Sequence, residues 1–150
     1  MSLTEEVLTV LIGQISKFAN THEWGLPEKF KTPALVWRVD AKKTPLKWQR
    51  WRTLSDRTRW AVAKVELDLH LFWVDKFATY LELDSYLRNL RSFELDGELI
   101  KVSYQPFTPY REEEFLKKGL KVWHAVLTAK FVEFVDTPVL EISVEAKEDG

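Results

Sequence analysis

Apolar residues recur at spacings of three and four from Leu3 to Phe18, at Val7, Leu8, Leu11, Ile12, Ile15 and Phe18, which lays one wide apolar stripe along a helix. Ser2 and Glu5 have the spacing of a capping box, in which the Ser oxygen takes an orphan amide of the first turn and the Glu reaches back, so the helix starts near Leu3. Asn20 to Pro33 holds Gly25, Pro27 and Pro33 among polar residues and reads as a loop, because Pro neither continues a helix nor donates to a sheet ladder. Ala34 to Val39 then alternates, with Leu35, Trp37 and Val39 on one side, as a short strand does. From Trp60 the period becomes two over a long run. Val65, Leu67, Leu69, Leu71 and Trp73 face one way, and Lys64, Glu66, Asp68 and His70 face the other. A half-exposed strand of about 14 residues follows, longer than the usual ~5–6.

Asp75 stands where a cap belongs, and Phe77, Tyr80, Leu83, Leu87 and Leu90 repeat at helical spacing, so the long strand is expected to feed directly into a helix that ends before Gly97. Leu99 to Gln105 resumes alternation until Pro106 and Pro109 close it. The run Glu112, Glu113 and Glu114 reads as a solvated loop or the first turn of a helix. Leu120 to Val135 is rich in β-branched and aromatic residues on both sides, the pattern of a strand buried on both faces near a sheet centre. Thr137-Pro138 interrupts, and Val139 to Val144 alternates once more before a frayed tail. The expected fold class is α+β: a mainly antiparallel sheet with the N-terminal helix and a central helix packed on one face, and a long basic loop or arm. At 150 residues the chain fits one domain, residues 1–150, from which the arm at about 40–60 projects.

Charge changes this picture most in that arm. Between Arg38 and Trp60 stand eight Lys/Arg and two Asp, six net positive charges in a chain of net charge −1, so the remainder carries −7. The constellation Lys47, Trp48, Arg50, Trp51, Arg52, Arg57, Arg59 and Trp60 sets indoles among like charges, a composition suited to meeting a partner rather than to folding on itself. Two partners fit. Arg and Trp dominate protein interface hot spots, and the last 18 residues supply an acidic complement in Glu133, Asp136, Glu141, Glu145, Glu148 and Asp149 against Lys147 alone, so one subunit's arm can meet the next one's acidic strand head to tail, Glu141 and Glu145 included. Alternatively, Arg neutralises phosphate and Trp stacks on unpaired bases, which makes a single-stranded nucleic-acid-binding module the second reading. The acidic remainder and a pI near 6.3 weigh against it. A solvated loop with locally buried indoles is the third.

The sequence names no reaction. With no cysteine, disulfides, thiolate metal sites and a Cys nucleophile are excluded. No Gly-flanked nucleophile elbow and no phosphate-binding Gly loop occurs among only five Gly. Asp68 and His70 share one strand face, with His124 on a strand that pairing can bring alongside, but no second-shell pattern supports a metal there and solvated polar positions are the expectation. The expectations are no enzymatic activity, no cofactor and no metal. The acidic N-terminus and the lack of an apolar run near 18 residues lead us to expect a soluble protein made in the cytoplasm, without a membrane partner.

In layout the chain resembles the tail-terminator, or tail-completion, proteins of long-tailed bacteriophages and related contractile injection systems. The features that carry the resemblance are the helix from Leu3 to Phe18, the Pro-containing loop into Leu35–Val39, a long variable loop, the extended strand from Trp60 to Val74 passing into a helix near Asp75, and return strands from Leu99 onward. The resemblance implies a homo-oligomeric, hexameric ring that caps the tail tube, stops its polymerisation and contacts neck, head or sheath proteins. It also implies synthesis in a bacterial host cytoplasm and incorporation into a virion or tail-like particle. It brings no catalytic residues. The Trp-rich arm and the strand Val139 to Val144 depart from that layout.

Overall fold

The computed structural model describes residues 2–45 and 58–138 of the chain. Helix α1 (Leu3–Ile15) begins as its sequence dictates: Glu5 N donates to Ser2 Oγ, and Ser2 N donates to the Glu5 carboxylate at 3.1 Å, so two orphan donors of the helix start are satisfied reciprocally. Eight elements follow in the order β1 (Asn20–Glu23), β2 (Ala34–Pro45), β3 (Thr58–Asp75), α2 (Leu81–Asn89), β4 (Ser92–Leu95), β5 (Glu98–Tyr110), α3 (Glu113–Lys117) and β6 (Lys121–Pro138). The strands form one six-stranded sheet in the order β1-β2-β3-β6-β5-β4. Only the β1–β2 pair is parallel; the others are antiparallel. The protein is an α+β fold with its N-terminal and central helices on one face, as the pattern of the chain leads one to expect.

That face holds the main core. Val65, Leu67, Leu69, Leu71 and Trp73 of β3, all at most 2% exposed, meet Val7, Leu11 and Ile15 of α1 and Leu83 and Leu87 of α2, with Ala125, Leu127 and Ala129 of β6 beside them. Alternation in β3 thus decides which side of the sheet the helices cover. The opposite face is half-exposed over most of its area and, among the described residues, is covered only at one end. There the 24–33 loop and the 110–120 segment pack Leu26, Phe30 and Phe115 against Val74, Val122 and Ala34.

Several elements differ from the expectation, each for a local reason. Asn20–Glu23 is a strand within the expected loop, because it pairs with β2 in register Asn20 to Ala34 and tertiary pairing overrides weak strand propensity. The central helix starts at Leu81, not near Asp75. The Asp75 carboxylate accepts from Lys76 N at 2.8 Å and from the Thr79 hydroxyl, which closes a turn and leaves Phe77 72% exposed instead of on the helix stripe. Strand β5 runs through Pro106 and Pro109 to Tyr110 by way of a register shift between Gln105 and Thr108, a bulge that tolerates Pro. Strand β6 is central, as expected, but beyond Val122 it is fully buried only on the helix side: Val126, Thr128 and Val132 are half-buried and Lys130 is exposed. A short hairpin, β4 with β5, turns at Asp96 and Gly97, whose φ of 52° and 78° are those of the type I′ turn that Asp-Gly favours.

Among the described residues the two 18-residue strands β3 and β6 outrun their neighbours. Within those residues β2 pairs with β3 as far as Pro45 opposite Ala63, and pairing of β5 with β6 ends at Lys101 opposite Lys130. Residues Thr58 to Val62 therefore pair with Phe134 to Pro138 alone, a two-stranded ribbon with no third strand beside it among the described residues. The basic segment is inserted between β2 and β3 at this end.

Candidate functional site

Of the basic arm's sequence-predicted interface residues, only Arg59 and Trp60 are among the described residues. Lys47, Trp48, Arg50, Trp51, Arg52 and Arg57 lie outside the described residues, as do Glu141 and Glu145 and the strand expected from Val139 to Val144. Arg59 and Trp60 belong to β3, opposite Thr137 and Asp136 of β6. The basic stretch begins within strand β2, whose backbone extends to Pro45. Lys43 is already paired: its Nζ lies 2.8 Å from Glu133 Oε2. Glu133 is buried and also accepts from Thr4 N at 3.0 Å and Thr4 Oγ1 at 3.1 Å. Burial alone would raise its pKa, but the Lys43 ammonium and the Thr4 donors outweigh burial and hold the carboxyl below its ordinary value. Glu133 thus fastens the first turn of α1 to β6, and is not part of a free acidic complement as its sequence position suggests.

The other end of the sheet carries a cleft of about 270 Å³ on the face away from the helices, lined mainly by Trp24, Leu26, Phe72, Tyr110, Glu112 and Phe115. Register creates it. Phe72 lies directly opposite Val36 of β2 and His124 of β6, and Tyr110 lies opposite Val122, so the polar side of β3 turns apolar just where the two loops fold over it. Phe72 is the hub, with ring centroids 5.8 Å from Trp24, 5.2 Å from Tyr110 and 4.7 Å from His124. The Arg38 guanidinium sits 5.0 Å from the centre of the Trp24 ring, a cation–π contact. Trp24 is 59% and Tyr110 44% exposed, a concentration of exposed apolar surface of the kind that marks a contact site. The volume is just below the ~300–1,000 Å³ of small-molecule sites, so the cleft suits one aromatic side chain better than a cofactor.

Beside the cleft the structure brings His70 and His124 together, but not Asp68. His70 Nδ1 and His124 Nε2 are 3.0 Å apart, with ring planes 3° apart and centroids 5.3 Å apart; this combination sets the rings edge to edge in one plane rather than face to face. His70 Nε2 points toward Asp40 Oδ2 at 3.4 Å. With its Nε2–H toward Asp40, His70 accepts at Nδ1 from His124 Nε2–H, and the three groups form a line rather than a convergent ligand set. Asp68 Oδ1 instead accepts from Thr128 Oγ1 at 2.8 Å. Among the described residues no group of three or more His, Asp or Glu is placed to hold a metal ion. Burial, then the neighbouring His70 and Arg38, push His124 below the ordinary histidine pKa, so it is neutral at pH 7.

Sequence reasoning singled out His70 and His124 but missed the aromatic cleft. The available signal was Phe72 and Val74 following Lys64, Glu66, Asp68 and His70 on one strand face, a polar side that becomes apolar only at its end. The loop residues Trp24 and Phe115 carry no such periodic mark. Among known proteins, no family model and no curated protein matches the chain.

Proposed function

We propose that the chain is a structural subunit of a phage-tail-like assembly. Its copies close into a ring that caps the tail tube, ends its polymerisation and joins it to neck, head or sheath components. It is made in a bacterial host and built into the particle, with subunit–subunit contact as its working chemistry instead of catalysis. What supports this reading is the β3–β6 ribbon, which among the described residues continues past every other strand, at the end where the sequence inserts Lys47, Trp48, Arg50, Trp51, Arg52 and Arg57. A segment dense in Arg and Trp has the composition of an interface hot spot.

Light scattering of the full chain tests this, alone and with a tail tube protein, against a variant with Arg50→Ala, Trp51→Ala and Arg52→Ala. The expected result is a multi-subunit species that the triple change dissociates. A monomer that ignores the triple change, with or without tube protein, refutes the proposal. Tight, steeply salt-dependent capture of labelled single-stranded oligonucleotides by a monomer transfers the same residues to nucleic-acid binding.

A further inference from the structure

We infer that the aromatic cleft receives residues 46–57 of a second copy of the chain, seating one of its indoles, Trp48 or Trp51, between Trp24, Phe72 and Tyr110. This inference rests on the ring reading and specifies which surface the basic segment meets.

The cleft is of the right size and kind. At about 270 Å³ it accommodates one large ring, its aromatic walls are solvent-accessible, and Glu112 supplies a carboxylate for the cations that flank either indole. Residues 46–57 hold Lys47, Arg50, Arg52 and Arg57 against Asp56 alone, so an indole entering the cleft brings guanidinium groups with it. Aromatic rings meeting edge to face, with an Arg beside them, are the contacts that concentrate affinity at interfaces.

Chain length excludes the same molecule as donor. The basic segment joins Pro45 to Thr58, whereas the cleft lies beside Val36 and Phe72. Along β2 the nine residues from Pro45 to Val36 span about 30 Å at the strand rise of ~3.3 Å. A connection of twelve residues that must also return to Thr58, some five strand residues further away, reaches only about 15 Å toward the cleft when fully extended. A segment anchored at Pro45 and Thr58 therefore falls short of its own molecule's cleft and can meet a cleft only between copies. Each copy offers one of each, which is a head-to-tail contact; such contacts repeat until rotation closes them into a ring.

Sedimentation velocity on full-length samples tests the inference by complementation. Trp24→Ser with Tyr110→Ser disables the cleft at two exposed positions, and Trp48→Ala with Trp51→Ala disables the segment. Expected are an assembled wild type, two monomeric variants, and a heterodimer but nothing larger when the variants are mixed, because one segment and one cleft remain. A cleft variant that assembles like the wild type, or a mixture that stays monomeric, overturns the inference while the ring reading stands on the wild type. Should the cleft variant fail to fold, Glu112→Lys provides a single-site substitute with the same expected loss. A monomeric wild type refutes the ring reading, and a labelled peptide of residues 46–57 titrated into the Trp48→Ala, Trp51→Ala chain then decides the cleft. Binding that weakens at least tenfold with the Trp24 and Tyr110 changes upholds it, and absence of binding overturns it.

Discussion

Replacing Glu133 by Gln keeps the shape of the side chain and removes the charge that holds α1 to the sheet. Three donors converge on this carboxylate: Thr4 N, Thr4 Oγ1 and Lys43 Nζ, at 3.0, 3.1 and 2.8 Å. Gln retains an acceptor for Thr4 but turns an amide toward the ammonium, so the charge-assisted bond, about 1.5–3 kcal/mol, is lost. The attraction of an anion for the helix N-terminus, about 0.3–1 kcal/mol, is lost as well. The full cost of breaking a buried pair, ~3–5 kcal/mol, does not apply, because the Lys43 side chain is 46% exposed and regains water. We expect a loss of about 2 kcal/mol, which for a domain of this size lowers Tm by roughly 4–8 °C. The loss carries a pH signature. The carboxyl is held below its ordinary 4.5 in the folded state, so its contribution is complete above that value and fades as pH falls through the folded pKa. Thermal unfolding of wild type and Glu133→Gln from pH 7 to pH 3 should show the Tm gap closing below pH 4.5. A gap under 1 °C at pH 7, or one that persists unchanged to pH 3, refutes the assignment.

Other parts of the fold make similar demands. His124 is held below the ordinary histidine pKa of 6.5, so the unfolded chain takes up the proton first and stability falls as pH drops below 6.5. Imidazole NMR should place its titration below that value, and a pKa at or above 6.5 contradicts the burial argument. The Tyr104 phenol donates to Asp84 Oδ1 at 2.5 Å, and burial, then this bond, raise its pKa well above the usual range. An ultraviolet titration should contain a phenol that ionises late, and Tyr104→Phe should abolish that late step. Gly97→Ala puts a Cβ on a residue at φ 78° and should cost about 1 kcal/mol in urea unfolding. Leu69→Ala, at a site with no exposure, should cost ~2–5 kcal/mol.

Where a single local rule decided the structure, the sequence was enough. The capping box at Ser2 and Glu5 set the start of α1, and strict alternation from Val65 to Trp73 set the buried face of β3, although the strand runs to 18 residues against an expectation of about 14. Elements decided by pairing were not legible. The polar Asn20–Glu23 becomes a strand only because β2 lies beside it. Asp75 looks like a helix cap, yet its carboxylate is used by Thr79, and Pro106 and Pro109 look like terminators, yet a bulge absorbs them. The Asp96-Gly97 turn was there to be read and implied the β4–β5 hairpin. For the site, charge and indole content marked the basic segment, whereas the aromatic cleft gathers residues from a loop, four strands and a short helix that no spacing connects.

The account depends on copies of the chain recognising one another. Native mass spectrometry of the unmodified full-length protein across a hundredfold range of concentration measures that most directly. A closed ring gives one integer multiple of the 17.7 kDa protomer that does not grow with concentration, as saturated head-to-tail contacts require. A protomer mass alone at every concentration contradicts it.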